Sequence, residues 1–529
     1  MDELLGGATP VDATLLSPSI QSFGIQSDQE TFVKFDFEVD GRRVGFGPPG
    51  RLIVGIGVHE REGGAPPPGL NPRRSLLETN QTAVSAFSLD QVLASVERNS
   101  GFSPDAVNLY QRLIDTYASA ANARLPDAVH CGDETTDGAP SVNGFPIRCD
   151  RLEHQQIDNL GQWFPTAVVN RIDLAPMDGA HCGQQRLIFA NNAPIGNGRM
   201  FIIIETQIPN PNPACGVAAC RPLADFWAAQ SAIDDPKERG VRLSEAFMTG
   251  STELSAAGFK PFLSVENLGS GIGNVRTNNF DDNQWTLREF KLGASGSDVR
   301  VSPVGTDSAV HGALWNDTAP SPVGDQCRAS FLDAVSGLLS NDPAEMSFIV
   351  SGACNDAESP NDGFTQDYAS HLGQGSGAFR SALQARLAGT GLTPEDIATR
   401  ARFAGSCIGC HQEANEASLG QGVIAPDSNG FVHINEGSLE DCGDGSQCFT
   451  ASPALKNVFL PRRLRALDDL LKSAACSAGD GGIAADAAAE GGVAADGGVA
   501  ADGGTSSLGA PRAALPMKTI GGQSALMTH

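Results

Sequence analysis

No stretch of this 529-residue chain approaches the roughly 18 to 20 uninterrupted apolar positions that a membrane-spanning helix needs, so no integral membrane segment is expected. Basic residues are scarce: 36 lysines and arginines stand against 62 aspartates and glutamates, for a net charge of −26. That balance repels phosphate backbones and anionic lipid surfaces, so no nucleic-acid partner is expected, and it suits a solvated surface. Methionine is also rare, with seven in all and none between Met346 and Met517. A Gly-x-Ser-x-Gly elbow and a His-Glu-x-x-His helix are both missing, which leaves a hydrolase without positive support. The first residues, Met1-Asp2-Glu3-Leu4-Leu5-Gly6-Gly7, are acidic and lack the apolar core of an export signal.

Cysteine, by contrast, is plentiful. Twelve cysteines fit an oxidising compartment, where disulfides persist. Setting aside Cys407 and Cys410, which share a motif, ten remain, and short closing loops favour Cys215 with Cys220, Cys327 with Cys354, and Cys442 with Cys448. A periplasmic or extracellular location is expected on that ground. The missing signal conflicts with it, and the expectation is that a leader was removed or lost through a misplaced start.

Length beyond what one core organises favours several domains. Residues 1–30 read as a loose leader. Residues 31–325 read as a β-rich, disulfide-containing mixed α+β region. Strands are expected at 32–39, 51–58, 167–174, 186–190, 200–205 and 285–292, the middle ones apolar enough to be central in a sheet. Helices are expected at 89–97 and 105–124, the second burying Val107, Tyr110, Leu113, Ile114 and Tyr117. Residues 326–476 read as mostly helical, with helices at 327–339, 378–388, from 394 onward, and at 461–472. The overall class is α+β. The Ala, Asp and Gly repeats of 477–511 are too poor in large apolar side chains to offset the entropy of ordering and read as a linker, with 512–529 a tail.

Chemistry concentrates in Ser406-Cys407-Ile408-Gly409-Cys410-His411. Cys-x-x-Cys-His is the spacing that attaches c-type haem: two thiols one turn apart add to two vinyl groups on one porphyrin edge, and the adjacent imidazole reaches the iron. Chance places this pattern in a chain of such composition roughly once in two hundred, so the signal is specific. It follows a helix start with Thr393 as cap, Pro394 at the first position, and Glu395 and Asp396 in the first turn. Cys407, Cys410 and His411 are therefore the expected haem-binding residues, His411 the proximal iron ligand. Two other uses of the same cysteines stay open: a zinc site completed by Cys442, Cys448 or His433, and a redox dithiol.

For the opposite face of the iron, His433 in Gly430-Phe431-Val432-His433 is the nearest downstream candidate. His371, Met517, Met527 and an open site are the other possibilities. Gly269-Ser270-Gly271-Ile272-Gly273 reads as a loop, and Asp281-Asp282 and the acids Asp356, Glu358 and Asp362 read as solvated loops rather than calcium ligands.

The stretch from about 393 to 473 resembles the cytochrome c domain at its leading helix and haem motif. Together with Ser452-Pro453-Ala454-Leu455 and Phe459-Leu460-Pro461-Arg462-Arg463, it is similar to large secreted cytochrome c-like proteins of Gram-negative bacteria. There a haem segment follows a cysteine-bearing β-rich region like Asn170-Arg171-Ile172-Asp173-Leu174, Cys182-Gly183 and Trp285-Thr286-Leu287-Arg288-Glu289-Phe290. The resemblance implies one covalent haem c. This chain departs from it in lacking the downstream methionine ligand. One-electron transfer with a basic redox partner is the leading expectation; a haem peroxidase or oxidase with an open sixth site, and a surface scaffold with accessory haem, are the alternatives.

Overall fold

The computed structural model describes residues 69–149, 160–191, 199–281, 284–430, 432–473 and 476, and the backbone of four strands within 24–54. The leader, the 477–511 linker, the tail, Met517, Met527, Asp282 and the side chains of Asp281 and Cys410 lie outside the described residues. Two compact units divide the chain at Ala65 and Pro66. The four strands of the first, Gly24–Ser27, Val33–Val39, Arg42–Gly47 and Arg51–Val54, pair in sequence order as an antiparallel meander; the second and fourth fall in the stretches 32–39 and 51–58 where alternation predicts strands, of which 32 and 55–58 lie outside the described residues.

The second unit is built on an eight-stranded antiparallel sheet. Six long strands lie side by side in sequence order: β1 (Trp163–Arg171), β2 (His181–Asn191), β3 (Met200–Pro209), β4 (Asn274–Asp281), β5 (Gln284–Ser295) and β6 (Asp298–Val304). Leu77–Glu78 extends the β1 edge, and Ser359–Pro360 pairs with β5. β2 is buried at every position, the polar Gln184, Gln185 and Arg186 as well as the apolar run Leu187–Ala190, as a strand covered on both faces requires. α1 (Leu89–Asn99) and α2 (Ala106–Asp115) pack on each other and against the sheet edges. α2 stops well short of residue 124, because the Asp115 carboxylate turns back to accept the Arg124 and Leu125 amides at 2.9 and 2.6 Å. Tyr110, Leu113 and Tyr117 are buried as expected, whereas Val107, in the first turn, is 68% exposed.

Between β3 and β4 the chain is helical rather than β-rich: α3 (Arg221–Gln230) and α4 (Pro236–Met248) are inserted there. The signals were local, Pro222 near the start of α3 and Asp235 capping Lys237 N ahead of Pro236. In the C-terminal part come α5 (Gly324–Ala334), α7 (Ala378–Arg386), α8 (Pro394–Gly405) and α9 (Leu460–Lys472), close to the expected helices, and the short α6 (Tyr368–Gly373), which was not expected. An unexpected hairpin, β7 (Ile434–Asp441) and β8 (Gln447–Ala451), separates the last two.

Five disulfides are present: Cys131–Cys149, Cys182–Cys220, Cys215–Cys476, Cys327–Cys354 and Cys442–Cys448. The expected Cys215–Cys220 pair does not form. Cys220 reaches β2 and Cys215 reaches the segment after α9, contacts that closure entropy over short loops does not anticipate. Among the described residues no helix is long and apolar enough to cross a membrane.

Candidate functional site

The Cys-x-x-Cys-His segment hangs from the end of α8. Thr393 and Asp396 close a reciprocal capping box, and Pro394 occupies the first turn, so the helix start is set by local chemistry. Its middle is clamped by Arg400, wholly buried. The guanidinium donates to the carbonyls of Leu419 at 2.6 Å, Leu338 at 2.8 Å and Ser340 at 2.9 Å, and to Asn341 Oδ1 at 2.9 Å. At the C-terminus Ser406 turns extended, its hydroxyl donating to Arg402 O at 2.8 Å and accepting from Gly409 N at 3.1 Å. Gly409 is required by proximity: a Cβ there would overlap the Arg402 carbonyl.

The tight turn over Ile408–Cys410 puts Cys407 inside, its amide donating to Ser359 Oγ at 2.9 Å beside β5. Burial pushes the Cys407 thiol up to about 12, with the Glu413 carboxylate adding to it, so the side chain is a neutral thiol. His411 follows in extended conformation and is 1% exposed; burial pulls its imidazole down to about 4.

His433 joins it from the far end of the segment. The rings are centred 5.4 Å apart and tilted 34°. His433 is fully buried; burial first, then His411 and Arg463, hold it well below the usual histidine range. Its Nδ1 lies 2.8 Å from Ser452 Oγ, and Phe459 meets the ring edge-on at 6.2 Å. In the tautomer protonated on Nδ1 the ring donates to Ser452 and presents the Nε2 lone pair, the arrangement that orients a ligating histidine.

The donor chemistry suits an iron porphyrin: His411 and His433 are both buried and held neutral, as ligation requires. Of the partners named for zinc, Cys442 and Cys448 are bonded to each other, whereas His433 stays beside His411. Among the described residues no group of three or more His, Cys, Asp and Glu side chains converges as a metal site.

The other sequence candidates lie apart. His371, on α6, meets the Phe364 ring at a 57° tilt and sits near His311. Asp356 and Glu358 are not solvated loop acids, as expected from sequence, but buried partners of His311 at 2.9 Å and Arg288 at 2.9 Å. Asp362 caps the Thr365 amide at 2.6 Å. Sequence reading missed Ser359, the support of Cys407. It also gave no role to Ser452, Phe459 and Arg463, which lie within a segment that carries the cytochrome resemblance. No protein-family profile, curated protein or solved structure matches this chain.

Proposed function

We propose that the chain carries one haem covalently through Cys407 and Cys410, with His411 and His433 as axial ligands, and transfers single electrons outside the cytoplasm. The observation that carries this reading is the pair of buried, neutral imidazoles facing each other at 5.4 Å, one of them within a Cys-x-x-Cys-His motif. The haem would supply the one-electron couple. The chain's residues supply the rest: Ser452 fixes the His433 tautomer, Ser359 and Gly409 fix the turn that presents Cys407, and burial excludes water from both rings. With His411 and His433 both holding the iron, no position would be left for peroxide or oxygen, which would favour transfer over an oxidase or peroxidase.

Five disulfides support an oxidising compartment. The −26 net charge supports a basic redox partner. The test is the mass and the visible spectrum of the chain from a host that matures c-type cytochromes. Attached haem with a low-spin spectrum indifferent to carbon monoxide is expected, turning high-spin and carbon monoxide-binding in His433→Ala. A chain without added haem mass refutes the reading.

A further inference from the structure

One of the five disulfides is placed differently from the others. Cys131, Cys182, Cys220, Cys327, Cys354 and Cys448 are buried, so each of the other four pairs has at least one cysteine inside the fold. Cys215 and Cys476 are both only half-buried, and the stretch 212–214 leading into Cys215 is exposed. A thiolate can therefore reach this bond in the folded protein, whereas the other pairs require some local opening first.

Asn212 adds a second feature. Its Nδ2 donates to Cys215 Sγ at 3.4 Å and to Cys476 Sγ at 3.5 Å. Whichever sulfur is displaced leaves as a thiolate beside that amide, and a hydrogen-bonded thiolate is the better leaving group. Asn80 likewise donates to Cys442 Sγ at 3.3 Å, but there the partner Cys448 is buried. The bond also sits at a joint: across a sequence separation of 261 it ties the turn before α3 to a residue just past α9. Close by, Arg221 Nη1 donates to Ser473 O at 3.1 Å, and α9 packs on α3 and on 172–174. Opening the bond leaves the buried Leu464, Leu467 and Leu470 of α9 in place and removes the covalent hold on the end of the helix.

We propose that Cys215–Cys476 is a thiol–disulfide exchange site, opened by a dithiol reductant while the other four disulfides stay closed, with Asn212 assisting the leaving sulfur. One thiolate of the dithiol attacks either sulfur, forming a mixed disulfide and expelling the other cysteine as a thiolate that takes up a proton. The second thiol of the reductant then attacks its own sulfur in the mixed disulfide, closing a cyclic disulfide and releasing the second cysteine. Two electrons and two protons pass from the dithiol to Cys215 and Cys476. The site does not depend on what Cys407 and Cys410 hold.

The test is treatment of the folded full chain with dilute dithiothreitol, quenching by alkylation at intervals, and peptide mass spectrometry of each cysteine. Cys215 and Cys476 are expected to be labelled together, at least about tenfold faster than any other disulfide cysteine. Asn212→Leu should slow that step about threefold, the effect of a tenfold less acidic leaving thiol, without changing the other pairs. On reduction, amide hydrogen exchange should rise in the last turn of α9 and stay unchanged in β2. Another pair opening first or at an equal rate overturns the assignment, and this order of opening is read on the wild type, whether or not the variant folds. An Asn212→Leu rate equal to wild type overturns the role of the amide, and unchanged exchange in α9 overturns the release of its end.

Discussion

Replacing Arg400 by alanine isolates the clamp that holds α8, the helix leading into Cys407. Its guanidinium is buried, with Asp396 as a charge partner one turn earlier on α8, and four oxygens at 2.6 to 2.9 Å accept its hydrogen bonds. Each hydrogen bond to a charged group is worth about 1.5–3 kcal/mol, but the sum overstates the effect, because removal also relieves the cost of burying the charge. What remains is the stranding of the Leu338, Ser340 and Leu419 carbonyls in a dry interior, at about 1–3 kcal/mol each, partly relaxed. The net loss is therefore expected at about 3–5 kcal/mol, in line with removing one partner of a buried charged set. Equilibrium urea unfolding of Arg400→Ala measures it, with Arg400→Lys as companion. Lysine offers a point charge that cannot span oxygens on opposite sides, so it should recover little. A loss below about 1 kcal/mol, or full recovery with lysine, would refute the argument that the carbonyl cage is what fixes α8.

Other expectations follow from the same geometry. His181 accepts the Gly183 amide on Nδ1 at 3.1 Å and is held down to about 4, chiefly by burial, with Asp178 opposing. Its neutral form is the folded one, so stability is lost as pH falls from about 6.5 toward 4, by roughly 3 kcal/mol in total. Unfolding of His181→Gln across that range should lack this part, and an unchanged pH profile would exclude it. For His311 the sign is opposite: burial lowers its pKa, but the Asp356 hydrogen bond and charge prevail and leave it raised. Its contribution is complete below about pH 6.5 and disappears as pH rises through the folded pKa, a loss that an NMR titration set beside His311→Gln unfolding should show. Among the disulfides, Cys215–Cys476 spans 261 residues and Cys442–Cys448 only 6. Chain-closure entropy puts removal of the first roughly 3 kcal/mol above removal of the second, and equal losses in the two double-serine variants would contradict that account.

Much of the segment from Thr393 to His411 was legible because its signals are local. Thr393, Pro394 and Asp396 announce the start of α8 within four residues. The spacing of Cys407, Cys410 and His411 carries the proposed chemistry without reference to anything else. The apolar runs Leu187–Ala190 in β2 and Met200–Ile204 in β3 likewise read as central strands. α3 and α4 were missed although Pro222 and Asp235 marked them, because the neighbouring strands set the texture of the whole stretch. Hairpin β7–β8 was missed for another reason: its outward positions are charged, and its support comes from distant groups. Phe449 N donates to Thr79 O at 2.9 Å, Arg73 binds Glu440 at 2.6 Å, and Arg199 holds Glu436.

By itself the sequence determined the helix caps, the central strands, the acidic charge and the spacing of Cys407, Cys410 and His411, since each depends on residues a few positions apart. Tertiary structure alone decided that His433 faces His411, that Cys215 bonds Cys476 rather than Cys220, and that the charged residues of β2 to β5 neutralise one another inside the sheet. Those outcomes depend on which distant segments share the same small volume. Charge pairing and ring contact fall off within a few ångströms, and chain separation carries no record of such distances.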